Sequence, residues 1–142
     1  MTLANLMEDD SGLIFEYLDE SEALFLYEEI VTRRSYLQAG VKVPLDGMPT
    51  IVDVGANIGL FTLLVLRDNP HARVIAIEPA PEAFAVLQRN LAHASSSAHC
   101  ERLLLRDRAG HSVLHCYADA PGESTCHPRE RQMQRSRLAA ST

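Results

Sequence analysis

The sequence predicts an α/β fold, and three observations carry that expectation. Two short, almost wholly apolar runs, at residues 51–54 and 73–77, have the length and make-up of strands buried on both faces. Each is followed by a stretch of helical apolar periodicity, at 58–67 and 81–92. Strand, helix, strand, helix and a further apolar run in that order describe right-handed βαβ units and a parallel sheet. The 142 residues are 46% hydrophobic and 23% charged, which suits one ordinary domain and excludes wholesale disorder.

Taking the elements in order, Asp19 with Glu22 three positions on has the form of a capping box. Leu24, Tyr27 and Val31, with Leu26, Ile30 and Leu37, then recur at helical spacing until Gly40, so one amphipathic helix is expected over 21–39. Residues 45–49, with Asp46-Gly47, read as a turn-rich entry loop. The run Ile51-Val52-Asp53-Val54 is the first strand of the parallel sheet, and Asp68-Asn69-Pro70 stops the helix after it. Arg73 to Ile77 forms the second strand. Pro81, tolerated in a first helical turn, opens a helix through Ala92 with Phe84, Leu87 and Leu91 as its buried stripe. Leu103-Leu104-Leu105 is expected as a third strand, and Ser112 to Tyr117 as a fourth beyond the turn Arg108-Ala109-Gly110.

Charge narrows the partners. The formal net charge is −6, and residues 1–50 carry ten acidic against three basic side chains, whereas residues 101–142 carry five against seven. An acidic front argues against a nucleic-acid partner, because phosphate binding draws on a basic face. The arginines 129, 131, 135 and 137 are expected to line a solvated helix face or tail. Apolar stretches such as Leu63 to Leu66 fall far short of the roughly 20 residues that cross a bilayer, so no membrane partner is expected. Met1 to Asp10 lacks the layout of a secretory signal. Cys100, Cys116 and Cys126 form an odd set without CxxC spacing, which makes a cytoplasmic chain the expectation, and Cys100 and Cys116 read as small buried side chains rather than nucleophiles. No metal site is expected. Of the six histidines, only His111 and His115 stand i, i+4, and on a strand they would be about 13 Å apart.

The chemistry concentrates in Asp53-Val54-Gly55-Ala56-Asn57-Ile58-Gly59, between the first strand and its helix. A glycine turn there brings backbone close to a ligand and turns N–H groups toward the strand ends. Asn57 is the non-glycine type that best tolerates left-handed geometry. The dinucleotide fingerprint is not met, since Asn57 and Leu60 stand where its second and third glycines belong. Asp53 before the turn would repel a pyrophosphate and suits a cationic ligand end. Glu78, at the end of the second strand, lies 19 residues after Gly59, near the interval of about 20 at which an acid receives ribose hydroxyls. Together these features describe a nucleoside with a positively charged amino-acid tail, S-adenosylmethionine.

At this point the sequence resembles the FkbM family of class I methyltransferases. IVDVGANIGLFT at 51–62 is close to that family's motif I, and Glu78, Pro79, Pro81, Phe84, Leu87, Asn90 and Leu91 match its second-strand signature. Residues 117–125, ending Gly122-Glu123-Ser124-Thr125, are similar to a further family segment. The resemblance implies a Rossmann-like three-layer sandwich with an N-terminal helix. Asp53, Gly55, Ala56, Asn57 and Gly59 would line the methionine side of the cofactor, and Glu78 would hold the ribose. It also implies methyl transfer to a hydroxyl oxygen of a sugar or other small molecule. No Lys-x-Asp-x-Glu-Gly motif follows Cys126, so the fold is expected to be incomplete, with the first parallel strand left as an edge. That edge is then a site for self-association or for a complementing chain. The expected division is an N-terminal helical segment and entry loop (1–49), a cofactor-binding half-domain (50–127) and a polar tail that can be helical (128–142). The alternatives are a non-catalytic cofactor-binding remnant or interaction module, and an NAD-dependent oxidoreductase, which the broken fingerprint disfavours.

Overall fold

The structure is a computed structural model, and it describes residues 5–38, 40, 42, 44, 46–94, 97–117 and 124–126. A hairpin of β1 (Asn5–Glu8) and β2 (Ile14–Tyr17) opens the chain, paired antiparallel with Leu6 opposite Glu16. Then come α1 (Glu20–Tyr27), one π-helical turn (Glu28–Thr32) and α2 (Ser35–Gln38). The parallel sheet follows: β3 (Thr50–Val54), α3 (Leu60–Asp68), β4 (Arg73–Ile77), α4 (Pro81–Ala94) and β5 (Ala98–Glu101). Its order is β3-β4-β5, with Val52 beside Ile75 and Ile75 beside His99. The fold is α/β and Rossmann-like, and among the described residues β3 is an edge.

Alternation along the strands decides what each face meets. Val74 and Ala76 are buried under the helices, where Leu60, Leu63, Leu64, Val86 and Leu87 complete the core with Phe15 and Ile58. On the other face Val52 is 54% exposed, Val54 58% and Ile75 36%. The described residues therefore supply one helical layer and the sheet. The expectation that residues 51–54 are buried on both faces does not hold, because among the described residues no second helical layer covers Val52 and Val54.

Four other expectations change. The single helix over 21–39 is broken: Arg33 N donates to Glu28 O across the π turn (2.8 Å), and Arg34 turns to φ +50°. Ile30 and Val31 are both buried in that turn, while Leu24 faces solvent at 52%. The third strand is Ala98–Glu101, not Leu103–Leu105, because Ala98 and Cys100 pack on the helical side while His99 and Glu101 stay exposed. Period-two alternation outranks the apolar run, whose Leu103 and Leu105 are more than half exposed. Residues 112–117 form no strand; His115 makes only an isolated antiparallel bridge to Thr125, so His111 and His115 share no strand face. Cys116, expected to be a small buried side chain, is exposed, and Cys100 is half-buried.

The N-terminal hairpin carries no signal in the apolar pattern. Phe15 anchors it in the core, and polar bonds hold its turn: the Asp9 carboxylate accepts from Ser11 N (2.8 Å), Leu13 N (2.9 Å) and the Tyr27 hydroxyl (2.7 Å). Burial pushes the Asp9 carboxyl up, but these bonds together hold it well below the usual range, and the Tyr27 phenol is pushed up to about 12, chiefly by its bond to Asp9. Residues 118–123 and 127–142 lie outside the described residues, and with them most of the expected family segment, the arginine-bearing tail and the helix expected there.

Candidate cofactor site

The site grows from the carboxyl ends of β3 and β4, where parallel strands deliver their following turns. Gly55 (φ +76°), Asn57 (φ +50°) and Gly59 (φ +92°) bend the chain sharply before α3 begins. Gly55 N and Ala56 N both donate to Ile77 O, at 2.8 and 3.0 Å, and Gly59 N donates to Ala56 O at 2.8 Å. The Gly55 and Ala56 N–H groups therefore secure the turn to the end of β4, and that of Gly59 closes the turn on itself, rather than pointing free above the strands.

Glu78 is the centre of the arrangement. Its side chain is 6% exposed, with Oε2 accepting from Asn57 N (2.9 Å) and Oε1 from Ala80 N (2.8 Å). Burial raises its pKa above the ordinary glutamate value, the two backbone bonds pull the other way, and the charges of Asp53 and Glu22 raise it further. A carboxylate offers about four lone-pair directions. Two are taken by backbone amides, which orient the group and leave two for the hydroxyls of a diol.

Asp53 is placed differently. It lies on the helical side of β3, where Oδ2 accepts from the Thr62 hydroxyl of α3 at 2.7 Å. Thr62 is fully buried, and desolvation raises the Asp53 pKa against that bond. The structure thus joins Glu78, Asn57, Gly55 and Ala56 in one hydrogen-bonded unit, and sets Asp53 beneath the turn, coupled to Glu78 through its charge. Asp107 lines a cleft of about 1090 Å³ with Pro79, Pro81, Leu103 and Leu114, beside Glu78 and beyond the ends of β4 and β5. Among the described residues no group of three His, Cys, Asp or Glu side chains is arranged to hold a metal ion.

Two contributors escaped the sequence reading. Asn90, on α4 and 4% exposed, donates Nδ2 to Ile58 O (2.7 Å) and Glu16 O (3.0 Å) and accepts from Glu16 N (2.7 Å). It ties the far end of the glycine turn to the hairpin. A lone amide between Leu87 and Leu91 on a buried stripe was the available signal, because such a group must find partners. Glu22 is the other, accepting from Asn57 Nδ2 at 3.2 Å. It looked like a capping residue, and its N–H does donate to Asp19 Oδ1 at 2.8 Å.

Residues 53–140 match the family described as the methyltransferase FkbM domain. The methyltransferase sdnD of Sordaria araneosa is 41% identical over 128 residues, covering 89% of this chain and 48% of the relative. The 31-O-demethyl-FK506 methyltransferase FkbM of Streptomyces tacrolimicus is 38% identical over 119 residues, covering 83% of this chain and 45% of that one. The chain spans about half the length of these curated relatives. A solved coclaurine N-methyltransferase, bound to N-methylheliamine and SAH, aligns with a TM-score of 0.43 and 15% identity over 79% of this chain and 29% of that one.

Proposed function

Since the chain belongs to the methyltransferase FkbM domain family, we propose that its glycine turn and Glu78 hold S-adenosylmethionine for methyl transfer to a hydroxyl oxygen of a small molecule or sugar. The observation that carries this reading is the buried Glu78 carboxylate, oriented by Asn57 N and Ala80 N with lone pairs left for a ribose diol. Asp53, Glu78 and Glu22 also concentrate negative charge around the turn, which favours a cationic ligand. The bound cofactor supplies an electrophilic sulfonium methyl for in-line displacement by the acceptor oxygen. Glu78 fixes the nucleoside, the Gly55-to-Gly59 turn shapes the wall beneath the amino-acid tail, and the Pro79–Asp107 cleft takes the base side. What such a protein contributes is alignment and exclusion of water. A cytoplasmic location goes with this reading, because the three cysteines are free and suit a reducing compartment.

Calorimetric titration with S-adenosylhomocysteine tests the reading. Glu78→Ala is expected to weaken binding about 100-fold, the effect of two charge-assisted bonds. No binding by folded wild-type protein would remove the proposal. The pH profile gives a second expectation. Diol binding uses ionised Glu78, so affinity should begin to fall at a pH above the ordinary glutamate range as the raised pKa is crossed. Stability should run the other way for this group. A carboxyl whose folded pKa is raised stabilises the fold relatively more as pH falls through that pKa, because the buried charge is neutralised. Parallel loss of affinity in wild type and Glu78→Gln with falling pH would contradict the assignment.

The exposed edge favours a second element of the proposal. Among the described residues, Val52, Val54 and Ile75 leave an apolar face at the edge strand β3, and such edges recruit further strands. We read this edge as the place where a second copy or a complementing chain pairs. Light scattering of the purified chain should show species larger than a monomer, reduced by Val54→Lys. A monodisperse monomer would overturn that reading and leave the cofactor proposal intact.

A further inference from the structure

The acidic first turn of α1 reaches the glycine turn from outside the parallel sheet. Glu22 Oε1 accepts from Asn57 Nδ2 at 3.2 Å, while Asn57 N donates to Glu78 Oε2 at 2.9 Å. Asn57 is thus held at both ends, by a carboxylate from the N-terminal segment on its side chain and one from β4 on its backbone. It is also the turn's non-glycine residue with positive φ, at +50°, so its conformation needs support from its surroundings. The segment around Glu22 is packed onto the turn. Ala23 is 1% exposed and Ile58 4%, and Leu18, Ala23 and Leu26 line the same small crevice as Asn57 and Ile58.

We infer that Glu22 is a positioning residue of the cofactor site, acting through Asn57 to set the orientation of the turn and of the Glu78 carboxylate. The inference rests on the methyl-donor reading above and adds a residue that lies outside the βαβ unit, before the matched family region 53–140. The mechanism is geometric. With the Asn57 amide held, its backbone N–H stays aimed at Glu78 Oε2, so the carboxylate reaches a diol without reorganisation. Released, Asn57 can relax toward commoner backbone conformations, and the Glu78 carboxylate loses one of its two orienting amides.

The test is S-adenosylhomocysteine binding to the 142-residue chain, with thermal unfolding followed alongside. Glu22→Ala should weaken binding about tenfold, and Glu22→Gln, which keeps an acceptor oxygen, should restore most of it. In an Asn57→Gly background, where glycine tolerates the same φ, Glu22→Ala should have no further effect on affinity. Equal affinity of wild type and Glu22→Ala, or an undiminished Glu22→Ala effect in the Asn57→Gly background, would overturn the inference. Absence of binding by wild type would instead remove the cofactor reading, and this inference with it. Should Glu22→Ala fail to fold, Glu22→Leu, which keeps side-chain bulk without an acceptor, takes its place: weaker binding than Glu22→Gln supports positioning, and affinity equal to that of Glu22→Gln overturns it.

Discussion

Replacing Gly59 by alanine is expected to destabilise the protein by about 2–5 kcal/mol, read as a fall in the urea midpoint. Two separate causes add. Gly59 has φ +92°, a region L-residues adopt at a penalty of about 1–2 kcal/mol. A β-carbon there would also lie 2.7 Å from Leu87 Cδ1, and Leu87 is fully buried in α4, so its methyl has nowhere to retreat. Overpacking of that kind contributes about 1–3 kcal/mol. The two causes separate in a double-mutant cycle with Leu87→Ala. Removing the leucine methyls relieves the clash and leaves the backbone strain, so the double variant should be less destabilised than the sum by about 1 kcal/mol or more. Strict additivity would show that the α3–α4 approach is not close at this point.

The second large effect is expected at Asn90. Its amide makes three hydrogen bonds in a site that is 4% exposed, two to Glu16 backbone atoms and one to Ile58 O. Asn90→Ala leaves Glu16 N and Ile58 O without this partner, and orphaned buried groups typically cost about 1–3 kcal/mol each. A total loss of roughly 3 kcal/mol is expected by chemical denaturation. The loss should reach the site as well, because Ile58 lies inside the glycine turn. Hydrogen exchange should therefore accelerate both in β2 and at residues 55–60. Faster exchange confined to the hairpin would show that Asn90 anchors β2 without supporting the turn. The neighbouring Arg89–Glu16 ion pair, with the arginine half exposed, is expected to matter far less.

Much of this architecture was legible because the informative residues speak for themselves. Positions 51–62 and 78–91 combine strand-length apolar runs, left-handed turn residues and an acid at a fixed interval, and each feature follows from local geometry. The two βαβ units followed, and the family resemblance marked the first parallel strand as an edge, which β3 is among the described residues. The hairpin at 5–17 was missed because its strands are only four residues long, and its one fully buried apolar residue, Phe15, is supplemented by the polar anchors Asp9, Tyr27 and Asn90. The third strand was misplaced by four or five residues because Leu103-Leu104-Leu105 is more apolar than Ala98–Glu101. In a sheet bare on one side, alternation and not hydrophobicity marks a strand.

By itself the sequence determined the fold class, the glycine turn, the acid that follows it and the family, since these depend on residue type and spacing along the chain. Only the tertiary structure decided which groups meet. It turned the N–H groups of Gly55 and Ala56 onto Ile77, put Asp53 against Thr62, and brought Glu22 and Asn90 to the turn across 35 and 32 residues of chain respectively. A hydrogen bond between distant segments depends on how the helices pack, and no local pattern encodes that packing.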